Sequence, residues 1–306
     1  MSEFEDLGSF FSDDISDSIA DDKSTTSGGG DENMYSTSLR NENVVNGEYK
    51  SVVRFMKNVN ANLTAEPPIP HIFSKYMYFL PDPDNATGKI ICDCTSNWGQ
   101  RDNIITNAFF HCRNSGNPSF IQLGKDNFSR KQYHFTLLQV IKDIQQPDLE
   151  GKIKVYRFGK QVNDMLESIA KGDESVGIPK INYSHPFGGK NFVIQVEMEE
   201  FDRQNGSKGK MTSYKKSKFL TDKKTPLIVP NYDTKLIKPT KEYAQAILDW
   251  AKVESPDLAN YMAKPWDSVL EERIIESVRT AIGDPHHFDK IYKKTYKKPF
   301  TGLSTT

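Results

Sequence analysis

Apolar and polar positions alternate with a period of two in several separated stretches, which predicts strands. Ser51-Val52-Val53-Arg54-Phe55-Met56 is short and β-branched. Phe73–Leu80 is aromatic-rich, Pro81-Asp82-Pro83-Asp84-Asn85 has turn chemistry, and Lys89–Cys94 reads as the returning strand of a hairpin. Gln132–Lys142 predicts a buried strand, with Tyr133, Phe135 and Leu137 on one face and Leu138 and Val140 on the other. Lys152–Phe158 and Asn191–Met198 are further strands. Within Gln161–Ala170 the spacing changes, and Val162, Met165, Leu166 and Ile169 fall on one helical face. Residues 58–72, with Pro67, Pro68 and Pro70, predict a loop. Residues 95–127 show no clean period and predict an irregular insert, and 202–226 are polar and basic.

From Thr240 the pattern is helical. Thr240 can cap a helix carrying Tyr243, Ala244, Ile247, Leu248 and Ala251. Pro265 can open another as a first-turn residue, with Val269, Leu270, Ile274, Val278 and Ile282 on its apolar side and Gly283 and Pro285 ending it. Short strands, inserted loops and a helical C-terminal cap together fit an α+β protein with a Greek-key β-barrel core. The expected organisation is a disordered acidic tail over 1–47, a folded core over 48–283 and a mobile basic arm over 284–306.

Charge sharpens this picture. The net charge is −1, yet the first 35 residues hold ten acidic side chains and one lysine, so residues 36–306 carry +8. An acidic head on a basic body predicts a polyanion-binding body and a head that competes for the same surface. Within the head, Phe4, Leu7, Phe10 and Phe11 punctuate acid and could form a partner-docking motif. No apolar run approaches a membrane span, and MSEFEDLGSFF lacks the basic start of a signal peptide, so an intracellular protein is expected. Three cysteines are too few and too clustered for a disulfide framework.

Single-stranded nucleic acid needs cations for phosphates and aromatic faces for unstacked bases. Several segments interleave the two. One runs through Arg130, Lys131, Tyr133, His134 and Phe135. In another, alternation would place Lys152, Lys154, Tyr156 and Phe158 on one face, flanked by Arg157 and Lys160. A third holds Tyr214, Lys215, Lys216, Lys218 and Phe219, inside a window (203–224) with eight Lys or Arg against one Asp. Arg54 beside Phe55 adds a fourth. Taken singly, each aromatic is more at home in a core and each lysine run on a solvated face; the recurrence favours a shared groove. No Walker A loop or nucleotide-binding glycine fingerprint is present, and no catalytic constellation stands out, so a non-enzymatic protein is expected. The rival readings are a single-stranded RNA-binding regulator, a metal-dependent nuclease built on Asp284-Pro285-His286-His287-Phe288-Asp289, and an interaction hub for acidic proteins.

The stretch Glu150-Gly151-Lys152-Ile153-Lys154-Val155-Tyr156-Arg157-Phe158-Gly159-Lys160 resembles the T-even-type phage single-stranded DNA-binding proteins, the helix-destabilising proteins of phage replication. Val53-Arg54-Phe55, Val140-Ile141-Lys142-Asp143, His185-Pro186-Phe187-Gly188-Gly189-Lys190-Asn191-Phe192-Val193, Ser217-Lys218-Phe219-Leu220 and Trp266-Asp267-Ser268-Val269-Leu270 follow the same order. The resemblance spans about residues 48–283. It implies an OB-fold core that binds single-stranded DNA cooperatively and with little sequence preference. It also implies contacts with replication and recombination proteins, and work in DNA replication, recombination and repair in the cytoplasm of an infected bacterial host. Arg54, Arg130, Lys131, Tyr133, Tyr156, Arg157 and Tyr214 fall at or beside the family's DNA-contact positions, and His134 stands where the family has a tryptophan.

The resemblance further implies a structural zinc on one His and three Cys. The candidates here are His71, Cys92, Cys94, His111 and Cys112, but no Cys-x-x-Cys pair exists and adjacent His111 and Cys112 are poorly placed to ligate together. The family keeps a basic arm at its N-terminus and an acidic tail at its C-terminus. Here acid comes first and the lysine-rich stretch 290–300 last, so the tails would have exchanged ends, with the acidic tail covering the DNA groove and recruiting partners and the tails linking neighbouring copies along DNA.

Overall fold

Strand and helix signals in the chain are realised over most of its length in a computed structural model, which describes residues 19–21, 31–37, 47–66, 68–100, 102–173, 175, 179–202, 208–220 and 224–301. In chain order the strands are β1 (Ile19–Asp21), β2 (Met34–Tyr35), β3 (Glu48–Met56), β4 (Ile72–Asp82), β5 (Asn85–Asp93), β6 (Lys131–Asp143), β7 (Ile153–Phe158), β8 (Phe192–Asp202), β9 (Lys208–Ser213) and β10 (Lys218–Phe219). The helices are α1 (Ile104–Arg113), α2 (Pro118–Phe128), α3 (Lys160–Lys171), α4 (Lys241–Glu254), α5 (Ser268–Ile282) and α6 (Pro285–Tyr296). The Phe4–Phe11 segment lies outside the described residues. The chain forms two compact units, the first containing Asp31–Phe73 and His134–Asn260, the second Ser74–Tyr133 and Tyr261 onward.

The first unit is a sheet. Antiparallel pairing links β8 to β3, β3 to β6 and β6 to β7, while β9 and β10 both pair with β8. On β7, β2 adds in parallel, Met34 opposite Val155 and Tyr35 opposite Tyr156. A mixed α+β architecture is therefore found, but among the described residues these pairings leave the sheet open, and the expected closure into a barrel is not seen. A bulge between Val52 and Val53 shifts the β3–β6 register, and beyond it Val53, Arg54, Phe55 and Met56 are all buried. The Phe55 ring sits among Phe192 (5.5 Å between centroids), Tyr183 (5.8 Å), Phe158 (6.3 Å) and Tyr156 (6.4 Å). Each such ring contributes about 1.5–3 kcal/mol by burial. Val162 and Leu166 of α3 close one side of this core, as their spacing predicted. Thr240 caps α4, its side chain accepting from the Tyr243 N–H at 3.2 Å.

The N-terminal segment is more structured than its composition suggested. Tyr35 is buried, and its hydroxyl donates to Asp143 Oδ2 at 2.6 Å. The Tyr49 hydroxyl also bonds Asp143. One aromatic residue with a buried acceptor is enough to hold a short segment that is otherwise acidic and polar.

In the second unit β4 and β5 form the predicted hairpin around Pro83 and Asp84. The remainder departs from expectation. Residues 95–127 are not irregular: a short 3-10 turn (Thr95–Trp98) precedes α1 and α2. Asn103 and Asn117 cap the two helices, and Pro118 occupies the first turn of α2. Ile104, Ala108 and Cys112 lie at i, i+4 and i+8 and are fully buried. The helices approach closely at Gly124, where an added Cβ would lie 2.7 Å from the Cys112 Cβ. α5 starts at Ser268 behind an Asp267 cap, not at Pro265, and Val269 is exposed. Residues 285–296 are not a free arm. Asp284 caps α6, and Phe288, Ile291 and Tyr292 pack into the same core as Ile274, Val278 and Ile282 of α5. Lysines dominate its sequence, but the apolar residues recur every three or four positions, which is sufficient to dock one face. No helix among the described residues is long and apolar enough to cross a membrane.

Candidate nucleic-acid interface

In the second unit, cations and half-buried rings meet on the face formed where β4 and the start of β6 present their side chains. The Arg130 guanidinium lies over the Tyr76 ring, 4.4 Å from its centroid, and its Nη1 donates to Ser96 Oγ at 3.2 Å. Lys131 Nζ lies 5.6 Å from the Phe79 ring, and Tyr133 meets the same ring edge-on at 5.6 Å. Buried Asn97 fixes the platform from beneath: its Oδ1 accepts from Tyr76 N–H at 3.0 Å and its Nδ2 donates to Tyr76 O at 2.9 Å. Arg130 and Lys131 are exposed, whereas Tyr76, Phe79 and Tyr133 are half-buried. Cationic heads over half-buried rings suit phosphates and unstacked bases. Of these five residues the sequence reading had selected Arg130, Lys131 and Tyr133. Tyr76 and Phe79 were missed, although they sit in a strand already noted as aromatic-rich.

The first unit holds the remaining candidates, and several are not available as expected. Tyr156 is 1% exposed and Phe158 2%. Both rings belong to the core, stacked at 5.6 Å, so Tyr156 is not the expected base-stacking face. Tyr156 and Phe158 do share a face, but β7 is covered on both, Ile153 and Val155 on one and Tyr156 and Phe158 on the other. His134 stacks on Phe158 at 5.4 Å and 21°. Lys154 Nζ donates to Glu32 O at 2.7 Å, and Arg157 is half-buried. Tyr214 is half-buried, its hydroxyl 3.2 Å from Thr37 Oγ1 and its N–H donating to Gln161 Oε1 at 2.8 Å.

Arg54 is likewise no surface contact. It is fully buried, and burial pulls its pKa down to about 9. Its Nη2 donates to His185 O at 2.6 Å, and a Cβ on Gly189 would fall 2.4 Å from that nitrogen. That Cβ would also fall 2.3 Å from the Tyr183 carbonyl oxygen, so position 189 requires glycine. Arg54 is read here as a strut for the 185–189 turn.

Among the described residues of the basic window 203–224, four lysines are paired in place. Lys208 pairs with Asp202 (2.8 Å), Lys210 with Glu200 (3.6 Å), Lys215 with Glu199 (2.6 Å) and Lys216 with Glu197 (2.6 Å). A charge window along the chain cannot see the acids of the neighbouring strand, here β8. These are exposed pairs of small energetic worth, and their lysines remain able to exchange partners. Lys160 similarly pairs with Asp164 at 2.8 Å, which raises its pKa. Lys218 is exposed on β10.

The metal candidates do not form a site. Cys92, Cys94 and Cys112 are buried free thiols in the second unit's core, with burial pushing Cys92 upward and Cys112 up to about 11. Cys94 Sγ bonds the Tyr78 hydroxyl at 3.1 Å and Ser96 Oγ at 3.0 Å. His111 Nε2 is 2.8 Å from His287 Nδ1, and His71 belongs to the first unit. Among the described residues no three His, Cys, Asp or Glu side chains converge, so the residues present do not fit the implied zinc. The nuclease candidates His286 and His287 lie in the first turn of α6 with Asp284 as its cap.

Comparison with known families bears on this arrangement of sheet, helices and cation–aromatic face. Residues 47–267 match the family described as gp32 DNA binding protein like, and the chain belongs to that family. Among curated relatives, the single-stranded DNA-binding protein of Enterobacteria phage T4 is 29% identical over 128 residues, which is 42% of this chain and 38% of that protein. The single-stranded DNA-binding protein of Enterobacteria phage T2 is 29% identical over 128 residues, 42% of this chain and 37% of its own length. The matched stretch thus spans well under half of either relative.

Proposed function

We propose that this chain is a non-enzymatic single-stranded DNA-binding protein of a phage, acting in the cytoplasm of the infected host. The observation that carries the reading is the Arg130–Tyr76 and Lys131–Phe79–Tyr133 face, in which cations and half-buried rings share one surface. Phosphates engage Arg130 and Lys131, and bases stack on Tyr76 and Tyr133, with little demand on base identity because every base offers a π-face. Lys154, Arg157, Lys160, Tyr214, Lys215, Lys216 and Lys218 extend the basic surface on the first unit, the paired lysines exchanging a carboxylate for a phosphate. The open sheet of the first unit is an OB-type core in this proposal; the antiparallel β3–β6–β7 order and the bulge at Val52/Val53 support it. Cooperative binding, roles in replication, recombination and repair, and an acidic N-terminal tail that shields the DNA surface and recruits partners complete the proposal; the sorted charge of the chain supports the last of these.

The test is quenching of intrinsic fluorescence by oligo(dT) across a salt series. Saturable quenching that weakens linearly in log–log form with salt is expected. Equal or tighter binding of poly(U) would shift the reading to RNA, and absence of binding at low salt would overturn it.

A further inference from the structure

The second unit contains a cavity of about 270 Å³ whose chemistry is opposite to that of the DNA face. Trp98, Trp266 and Tyr296 contribute rings to its lining, Asp102 and Glu271 contribute carboxylates, and no lysine or arginine is among the described lining residues. The walls are held by hydrogen bonds. Trp266 Nε1 donates to Asp93 O at 2.9 Å, and the Tyr296 hydroxyl donates to Glu271 Oε1 at 2.8 Å. Asn107 Nδ2 donates to Asp102 Oδ1 at 2.7 Å and to Thr295 Oγ1 at 2.9 Å. Burial and the neighbouring Glu271 push the Tyr296 phenol upward, which keeps it a neutral donor.

Two carboxylates facing a small cavity repel phosphate, so a nucleotide is disfavoured there. Aromatic faces beside fixed carboxylates attract a planar cation, which can stack on a ring and accept ion pairing at its edge. The volume is just below the range of about 300–1,000 Å³ typical of small-molecule sites, and it suits one long side chain. We infer that this cavity is a docking site for an arginine side chain presented on a peptide of another protein. It is a protein-recruitment site independent of DNA binding.

The experiment titrates the full chain with the peptide acetyl-Ala-Arg-Ala-amide at low ionic strength, following calorimetric heat and tryptophan fluorescence in a Trp250→Phe background. One saturable site is expected, absent for the citrulline analogue, which keeps the shape and loses the charge. The double variant Asp102→Asn/Glu271→Gln should weaken binding about tenfold, and Trp98→Leu, which keeps both carboxylates, by a similar factor. Unchanged thermal melting would show that these variants fold. Binding that survives the double variant would be non-specific attraction to the acidic N-terminal region and would overturn the proposal, as would equal binding of citrulline or no binding at millimolar peptide. Loss of oligo(dT) affinity in the double variant would also overturn it, by making the cavity part of the DNA surface.

Discussion

Arg130 holds its guanidinium 4.4 Å from the centre of the Tyr76 ring, so a cation and a half-buried ring share one place on the second unit. In the proposed DNA-binding role the charge and the ring are separable parts. Arg130→Ala should lower the log–log salt slope by about 0.7, the share of one phosphate on a single strand. Tyr76→Leu should leave the slope unchanged and cost ~1–3 kcal/mol in affinity. Salt titrations with oligo(dT) distinguish the two; an identical response from both variants would argue against this division of labour.

Tyr156 belongs to the opposite category. Because its ring is buried between Phe55 and Phe158, Tyr156→Ala should destabilise the first unit by ~3–5 kcal/mol. The more conservative Tyr156→Phe should keep oligo(dT) affinity within about a factor of two, since no ring face is offered to a base. Denaturant melts and fluorescence titration check the pair of outcomes. A large affinity loss with intact stability in Tyr156→Phe would restore a direct contact.

Truncation after Gly283 should act on stability before it acts on cooperativity. It removes Phe288, Ile291 and Tyr292 from the second unit's core, each large enough to cost ~2–5 kcal/mol when deleted. Hydrogen exchange should rise throughout α1 and α5 in the truncated chain. Unchanged protection there, with loss only of clustering on long single strands, would support a detachable basic arm instead.

The acidic head can now be trimmed at a defined place. Ile19–Asp21 form β1 and residues 31–37 are part of the first unit through Tyr35, so the deletion that isolates the electrostatic effect ends at residue 18. That segment holds six acidic residues and no lysine or arginine, a net −6. Removing it should tighten oligo(dT) binding several-fold at low salt, with the difference shrinking as the Debye length falls below ~8 Å. Affinity that is unaltered at low salt would remove the competitive role.

His71 should set an acid limit to stability. Burial and the nearby Lys57 lower its pKa from 6.5 to about 4, so the folded protein resists a proton that the unfolded chain accepts. Stability from this group is complete above about pH 6.5 and is lost as pH falls toward 4, by up to ~2–3 kcal/mol. Urea melts between pH 4 and 7 should show this falling limb, and His71→Gln should flatten it. A limb of the same depth in the variant would assign it to other groups.

The sequence by itself determined much of the local structure. The period-two stretches became β3, β4, β6, β7 and β8, and turn chemistry at Pro83-Asp84 gave the hairpin. Val162, Leu166 and the Thr240 cap placed two helices. These signals are local, because backbone dihedrals, capping groups and side-chain periodicity act within a few residues. Within 95–127 the helical signal was also present, in Ile104, Ala108 and Cys112 and in two asparagine caps, but polar residues between them hid it. Which aromatic faces solvent was decided only by tertiary structure. Tyr156 and Tyr76 have similar neighbours along the chain, yet a second covering layer buries one, and Asn97 holds the other at the surface. The fate of charge was decided the same way. Lysines 208, 210, 215 and 216 read as a basic patch until pairing of β9 and the following turn with β8 sets acids opposite them. Exposure and charge balance depend on residues far apart in sequence, so they are fixed only when the strands and helices pack.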